Sequence, residues 1–163
     1  MTLSPAERED MIARYERGPE QIRGALAKVP EEARQWRPGP DRWSAHEVVV
    51  HCADSEANSA LRIRYLLAEK EPVIIGYDQE EWARSFDYHA EPLEPALAAV
   101  EAARGRTVPI LRRLSEGDWA KEGRHTEEGR YTAEDWLRIY AAHLEGHAAQ
   151  IERNLGAWNA QAG

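Results

Sequence analysis

Two histidines, His143 and His147, stand one helical turn apart in the run Ala141-Ala-His-Leu-Glu-Gly-His-Ala-Ala-Gln150. On an α-helix this spacing puts both imidazoles on one face, so that two ring nitrogens can address a single metal ion. At about 100° per residue, Trp136, Tyr140, Asn154 and Trp158 fall on the same side as the pair, while Arg138, Glu145, Glu152 and Arg153 fall opposite. The histidines therefore lie in the inward stripe. The plainer reading is two core histidines hydrogen-bonded to their neighbours, because short HxxxH patterns are common in soluble helices. Against it, two polar rings facing one core need partners, and one ion engages both. A third ligand must come from elsewhere in the chain.

His51 is that candidate. On a helix it lies within about 40° of Ser44, Glu47, Ser55, Asn58 and Arg62, beside an apolar stripe of Val48, Cys52, Ile63, Leu66 and Leu67. The polar stripe reads equally as a solvated face or as the lining of a pocket above a metal. Cys52 is expected to pack as a small apolar residue. His46 projects away from His51 and is expected in solvent. His89 and His125 fall in expected loops, from which either can close over a site. Glu127-Glu128 and Glu69-Lys70-Glu71 read as solvated charge.

The elements that must position these residues are bracketed by breakers. Ser4-Pro5 caps a first helix through Met11, Ile12, Tyr15, Ile22 and Leu26, with a kink or break expected at Gly18-Pro19. Residues 30–40, ending in Pro38-Gly39-Pro40, form a connection. Ser44-Ala-His-Glu47 is a capping box opening a second helix to about Lys70, stopped by Glu71-Pro72. Residues 73–91 read as a long loop with a short helical turn near 80–84. A third helix is expected over 92–114, kinked at Pro109. Residues 121–131, with Gly123 and Gly129, make a turn or small hairpin, and Thr132-Ala-Glu-Asp135 caps a fourth helix reaching about Trp158. Four long helices without a convincing alternating strand predict an all-α four-helix bundle in a single domain, 1–163.

Composition narrows the function classes. A chain of 163 residues can hold a cavity as well as a core. The net charge of −8, with basic residues scattered among more numerous acids, disfavours nucleic acid as partner. The charged start of the chain and the lack of a long apolar run predict a cytoplasmic protein without a membrane span. The lone Cys52 excludes a disulfide framework and a thiolate-built zinc site, so any metal is held by nitrogen and oxygen. Six Trp and six Tyr against one Phe suit a partly wet bundle interior.

Three stretches resemble the DinB-like superfamily, the metal-binding four-helix bundles that include the YfiT-type proteins and thiol-dependent S-transferases. They are Trp43-Ser-Ala-His-Glu-Val-Val-Val-His51 with Cys-Ala-Asp-Ser-Glu56 after it, Tyr77-Asp-Gln-Glu-Glu-Trp82, and Tyr131-Thr-Ala-Glu-Asp-Trp-Leu-Arg-Ile-Tyr-Ala-Ala-His143 through His147. The resemblance covers residues 30–151. It implies a helix order with a long crossover over 73–91, and a ligand set of His51, His143 and His147.

Three neutral imidazoles suit zinc or nickel, and also iron, and leave coordination positions open. The leading expectation is a metal-dependent enzyme that binds a low-molecular-weight thiol and presents its thiolate to an electrophile, an S-transferase. Glu47 or Asp54 is expected to orient a ligand imidazole or take a proton, and Arg62 to bind a carboxylate of the thiol. The alternatives are a metal-dependent hydrolase and a non-catalytic bundle pinned by its metal, with a small-molecule-binding or stress role. The resemblance also implies homodimerisation. An ion walled off by Trp136 and Tyr140 indicates the structural role, and one open to a pocket indicates the enzyme.

Overall fold

The computed structural model describes residues 2–162. Helix α1 spans Pro5–Ala27, α2 Ala45–Ala68, α3 Gln79–Ser85, α4 Leu93–Leu111, α5 Glu116–Trp119 and α6 Ala133–Ala162. The four long ones form the bundle. Three of their starts follow capping chemistry: Ser4 with Glu7 and Ser44 with Glu47 are reciprocal boxes, and Thr132 exchanges hydrogen bonds with Asp135 ahead of α6.

Around the bundle the order is α1, α6, α2, α4. The pairs Arg8–Glu134, Arg14–Glu145 and Lys28–Glu152 advance together along α1 and α6, so these helices are parallel. Arg23 meets Glu94 while Arg112 meets Glu16, so α1 and α4 are antiparallel. Trp136 bonding Ser59, and Asn154 bonding Trp43, make α6 and α2 antiparallel. It follows that α2 and α4 run parallel, and the chain from Glu69 to Pro92 must travel back along the bundle. This is the expected crossover. It carries α3, which matches the predicted helical turn.

A three-stranded sheet, β1 (Val73–Ile74), β2 (Glu122–His125) and β3 (Gly129–Thr132), caps the end where α2 and α4 finish. The β2–β3 hairpin is the predicted one, turned through Gly129 at φ +78°. The expectation of no strand is corrected by β1, which pairs in parallel with β2 through Ile74 and His125. Two residues are too short for a periodic signal, and their partner lies far along the chain.

A second correction concerns Gly18-Pro19, where α1 continues unbroken. Proline removes the hydrogen bond that the Tyr15 carbonyl would accept, and Nη1 of Arg104 from α4 donates to that carbonyl instead. A Cβ on Gly18 would stand 2.5 Å from the same nitrogen. The dipeptide is thus a notch in a continuous helix, filled by an arginine. Pro109 likewise lies inside α4, which ends at Leu111, three residues short of the predicted end.

The apolar interior has two halves. One gathers Ile22, Val48, Cys52, Val100, Leu144 and Ile151, and the other Tyr15, Ile63, Val108, Trp136, Leu137 and Tyr140. Between them lies a polar layer to which every long helix contributes: Gly18 on α1, Glu56 on α2, Arg104 on α4 and His143 on α6. Glu56 and Arg104 are fully buried and paired at 2.6 Å.

Candidate metal centre

His51 from α2 and His143 and His147 from α6 converge beside this layer, with one nitrogen from each lying within 4.8 Å of the others. Nε2 of His143 and Nε2 of His147 are 3.2 Å apart. Two nitrogens bound to one ion at roughly 2.0–2.1 Å in tetrahedral geometry stand about 3.3 Å apart, so this edge matches a shared ligand position. The opposite nitrogens face polar side chains behind the rings, within hydrogen-bond distance for His147 alone. Nδ1 of His147 meets Gln150 Oε1 at 2.9 Å, and Nδ1 of His143 lies 3.6 Å from Glu56 Oε1. This is the arrangement by which outer partners orient metal-binding imidazoles.

Electrostatics favours neutral rings. Burial, and then the neighbouring histidines, push His51 down to about 2; burial and His143 push His147 down to about 4. Nδ1 atoms of His51 and His143 are buried without hydrogen-bond partners. Neutral, crowded and under-satisfied imidazoles are the donor set that a divalent cation relieves.

Glu56 is the functional residue that helix phasing missed. Burial pushes its carboxyl up, but His143 and Arg104 outweigh that and hold it below its ordinary value. It also accepts from Tyr15 Oη and Ser59 Oγ, both at 3.4 Å. A detectable signal existed: Glu56 and Arg104 are charges inside otherwise apolar stripes, Cys52–Ile63–Leu66 and Leu97–Val100–Val108–Leu111.

The other expectations divide. The stripe on α2 is no solvated face, since Ser44, Glu47 and Ser55 are buried. Glu47 and Asp54 serve elsewhere: Glu47 pairs with Arg37 and accepts from the Ser44 backbone N–H, and Asp54 accepts from Tyr88 Oη. Neither hydrogen-bonds to a triad ring among the described residues, so the role expected of them is corrected. Their side chains are captured by residues 36–44 and 86–91, whose paths periodicity does not reveal. His46, expected in solvent, is buried with Nε2 2.8 Å from the Glu91 carbonyl. His89 reaches Ser44 Oγ at 2.8 Å and stays away from the triad's hydrogen bonds. His125 lies on β2 rather than in a loop. Cys52 packs in the core, its thiol pushed up by burial.

A cavity of about 240 Å³ opens onto His51 and His143, lined by Ser55, Arg62, Tyr77, His125 and Tyr140 among others. Trp136 is spent on the Ser59 carbonyl and Tyr140 on Arg62. Tyr140 lies against His143 with ring centroids 5.7 Å apart and Trp136 lies behind Tyr140, and the cavity still reaches His51 and His143.

Helix order and site together define a crossover four-helix bundle with a histidine triad at the edge of its core. The chain belongs to the DinB superfamily, whose model matches residues 14–151. Over 161 residues it is 30% identical to a Bacillus licheniformis protein described as a candidate metal-dependent hydrolase, the match covering 94% of this chain and 89% of that one. A similarly described Oceanobacillus iheyensis protein is 37% identical over 109 residues, 67% of this chain and 63% of that protein's length, so the aligned part spans less than two thirds of that relative. Among solved structures, YfiT from Bacillus subtilis, described as a candidate metal-dependent hydrolase with an unusual four-helix bundle topology, superimposes with a TM-score of 0.87. It is 25% identical, with 95% of this chain and 91% of that one covered.

Proposed function

We propose that this protein is a divalent-metal-dependent enzyme acting on a small molecule, with His51, His143 and His147 holding the ion. The observation that carries the reading is the cavity that opens onto two of the three imidazoles, because three histidine ligands leave coordination positions free and a structural site closes them. An ion held there would supply activation of a water or a thiol and polarisation of a substrate oxygen. The chain's own part is to keep His51 and His147 neutral by burial, to hold His147 through Gln150 with Glu56 facing His143, and to wall the reacting centre with Tyr77 and Tyr140.

Hydrolysis is the first reading, supported by the descriptions of the relatives. Thiol transfer is the second. Hydrolysis gains from a positioned general base, yet the carboxylates lining the cavity are Glu127 and Glu128 at the exposed hairpin turn, while Glu56 is committed to Arg104 behind the ligand. A thiol, which ionises nearer neutral pH than water does, would release its proton to solvent on binding such an ion and so would depend less on a base.

The deciding experiment begins with elemental analysis of untagged protein and its His51→Ala variant. A stoichiometric divalent ion, zinc, nickel or iron, is expected in the first and loss of it in the second; equal metal content in both would sink the triad. The metal-replete protein is then assayed on an ester and amide panel and in a thiol-consumption screen with electrophiles. Turnover in one panel, abolished by His51→Ala, selects between the readings.

A further inference from the structure

The cavity contains a cation that the fold leaves unanswered. Arg62 projects from α2 and donates through one Nη to Tyr140 Oη at 3.0 Å and through the other to the Ile75 carbonyl at 2.7 Å, both neutral acceptors. Its Nε is buried without a partner, and the residue forms no ion pair among the described residues. Arg8, Arg14 and Arg104 are each paired with a carboxylate; Arg64, like Arg62, meets only neutral acceptors, the Ala60 carbonyl and Thr107 Oγ1, but of the two only Arg62 lines the cavity. A partly buried, unpaired guanidinium is costly unless an anion joins it.

A second donor faces the same space. Nδ1 of His125 accepts from the backbone N–H groups of Glu127 and Glu128, at 3.2 and 3.3 Å. The neutral ring therefore carries its hydrogen on Nε2. Burial, followed by the nearby Arg62 charge, lowers His125 and keeps it neutral. The Arg62 Nε–H and the His125 Nε2–H are donors without a hydrogen-bond partner among the described residues, and the Tyr77 ring lines the same space 5.9 Å from the guanidinium.

We infer that this pocket, between the histidine triad and the β2–β3 hairpin, binds a carboxylate of the substrate, anchoring one end of a small molecule whose other end meets the metal. The inference rests on the metal reading above. Glu127 and Glu128 also line the cavity but are exposed and screened by solvent, whereas Arg62 is half-buried, so a singly charged carboxylate gains more from Arg62 than it loses to the acids, while a phosphate dianion doubles the repulsion. Arg62 matches a carboxylate by its planar fork. At about 240 Å³ the space suits a molecule smaller than a typical drug.

The test titrates zinc-loaded protein with 3-mercaptopropionate and with its neutral counterpart 3-mercaptopropan-1-ol by calorimetry, with inorganic phosphate as a competitor. The acid is expected to bind at least about tenfold more tightly, as one charge-assisted contact predicts. In Arg62→Gln the two probes converge to within about twofold, the alcohol's affinity staying as in the parent, and phosphate competes with neither. Zinc content and thermal melting accompany each titration. Zinc-loaded parent protein that does not distinguish the probes overturns the carboxylate pocket alone, as does discrimination that survives in Arg62→Gln or strong competition by phosphate. Parent protein that takes up no zinc overturns the metal reading and this second anchor with it. If Arg62→Gln fails to fold, the parent's probe ratio still decides.

Discussion

Glu56 has two tasks, and both follow from burial. It neutralises Arg104 across the bundle and stands behind His143. Removing its charge while keeping its shape, Glu56→Gln, leaves a buried guanidinium unpaired, so a loss of about 3–5 kcal/mol in urea-unfolding stability is expected. Metal affinity, measured by competition with a chelator, should fall by roughly 10–100-fold as an outer partner is lost. Unchanged affinity in the folded variant counts against the orienting role. The histidines also set a pH dependence. His51 and His147 titrate in the folded protein well below the ordinary histidine value, so the unfolded chain takes up protons first as pH falls. Stability of the metal-free protein therefore declines from about pH 6.5 downward, by up to about 1.4 kcal/mol per pH unit for each ring. His89 and His125, also lowered, act in the same direction. Glu47 and Glu56 are lowered carboxylates, whose contribution is present above about pH 4.5 and lost only below it, whereas Glu91, raised by burial, opposes the histidines as pH falls, so a variant comparison and not the window from about pH 6.5 to 5 alone separates the histidine contribution. Denaturation with chelator present across that window should give a shallower slope for His51→Ala than for the parent. The three histidines were legible in sequence because helical spacing encodes a face. Glu56 was not read, because nothing local tells a charge facing the core from one facing solvent until its partner on another helix is known.

Helix α1 holds the clearest case of an element whose local rule is overridden from a distance. Gly18-Pro19 predicts an interruption, and the same two residues provide the space and the free carbonyl that receive Arg104. Gly18→Ala raises intrinsic helix propensity by up to about 1 kcal/mol. Its new Cβ would nevertheless lie 2.5 Å from Arg104 Nη1 and 2.9 Å from Leu144 Cβ. Overpacking is expected to win, with a net destabilisation of about 1–2 kcal/mol in chemical denaturation. A stabilised variant would show the notch to be incidental. The capped starts of α1, α2 and α6 were readable because a capping box is a contact within four residues. Strand β1 depends on partners 51 positions further along the chain, and the burial of His46 on the Glu91 carbonyl, and no local pattern carries either.

At the scale of the whole molecule, the triad joins α2 to α6, antiparallel neighbours, so an ion bound there stabilises the folded state by mass action. At 100 times its dissociation constant the gain is about 2.7 kcal/mol, which for a domain of this size is a rise of roughly 5–10 °C in Tm. Calorimetric scans with zinc or nickel, reversed by chelator and absent in His51→Ala, are the check. No helix among the described residues is long and apolar enough to cross a membrane. Bundle architecture followed from four long amphipathic stretches, whereas the ring order α1, α6, α2, α4 needed the contacts between helices. The charged layer that divides the interior also bears on alignment. Purely aliphatic helices can slide past one another by a turn, about 5.4 Å, and still bury apolar surface. Here such a slip would strand Glu56 opposite hydrocarbon, leave Arg104 without its notch and carry His143 away from His51. The layer acts as an index mark: a single longitudinal setting of the four helices satisfies it, and in that setting the three imidazoles meet.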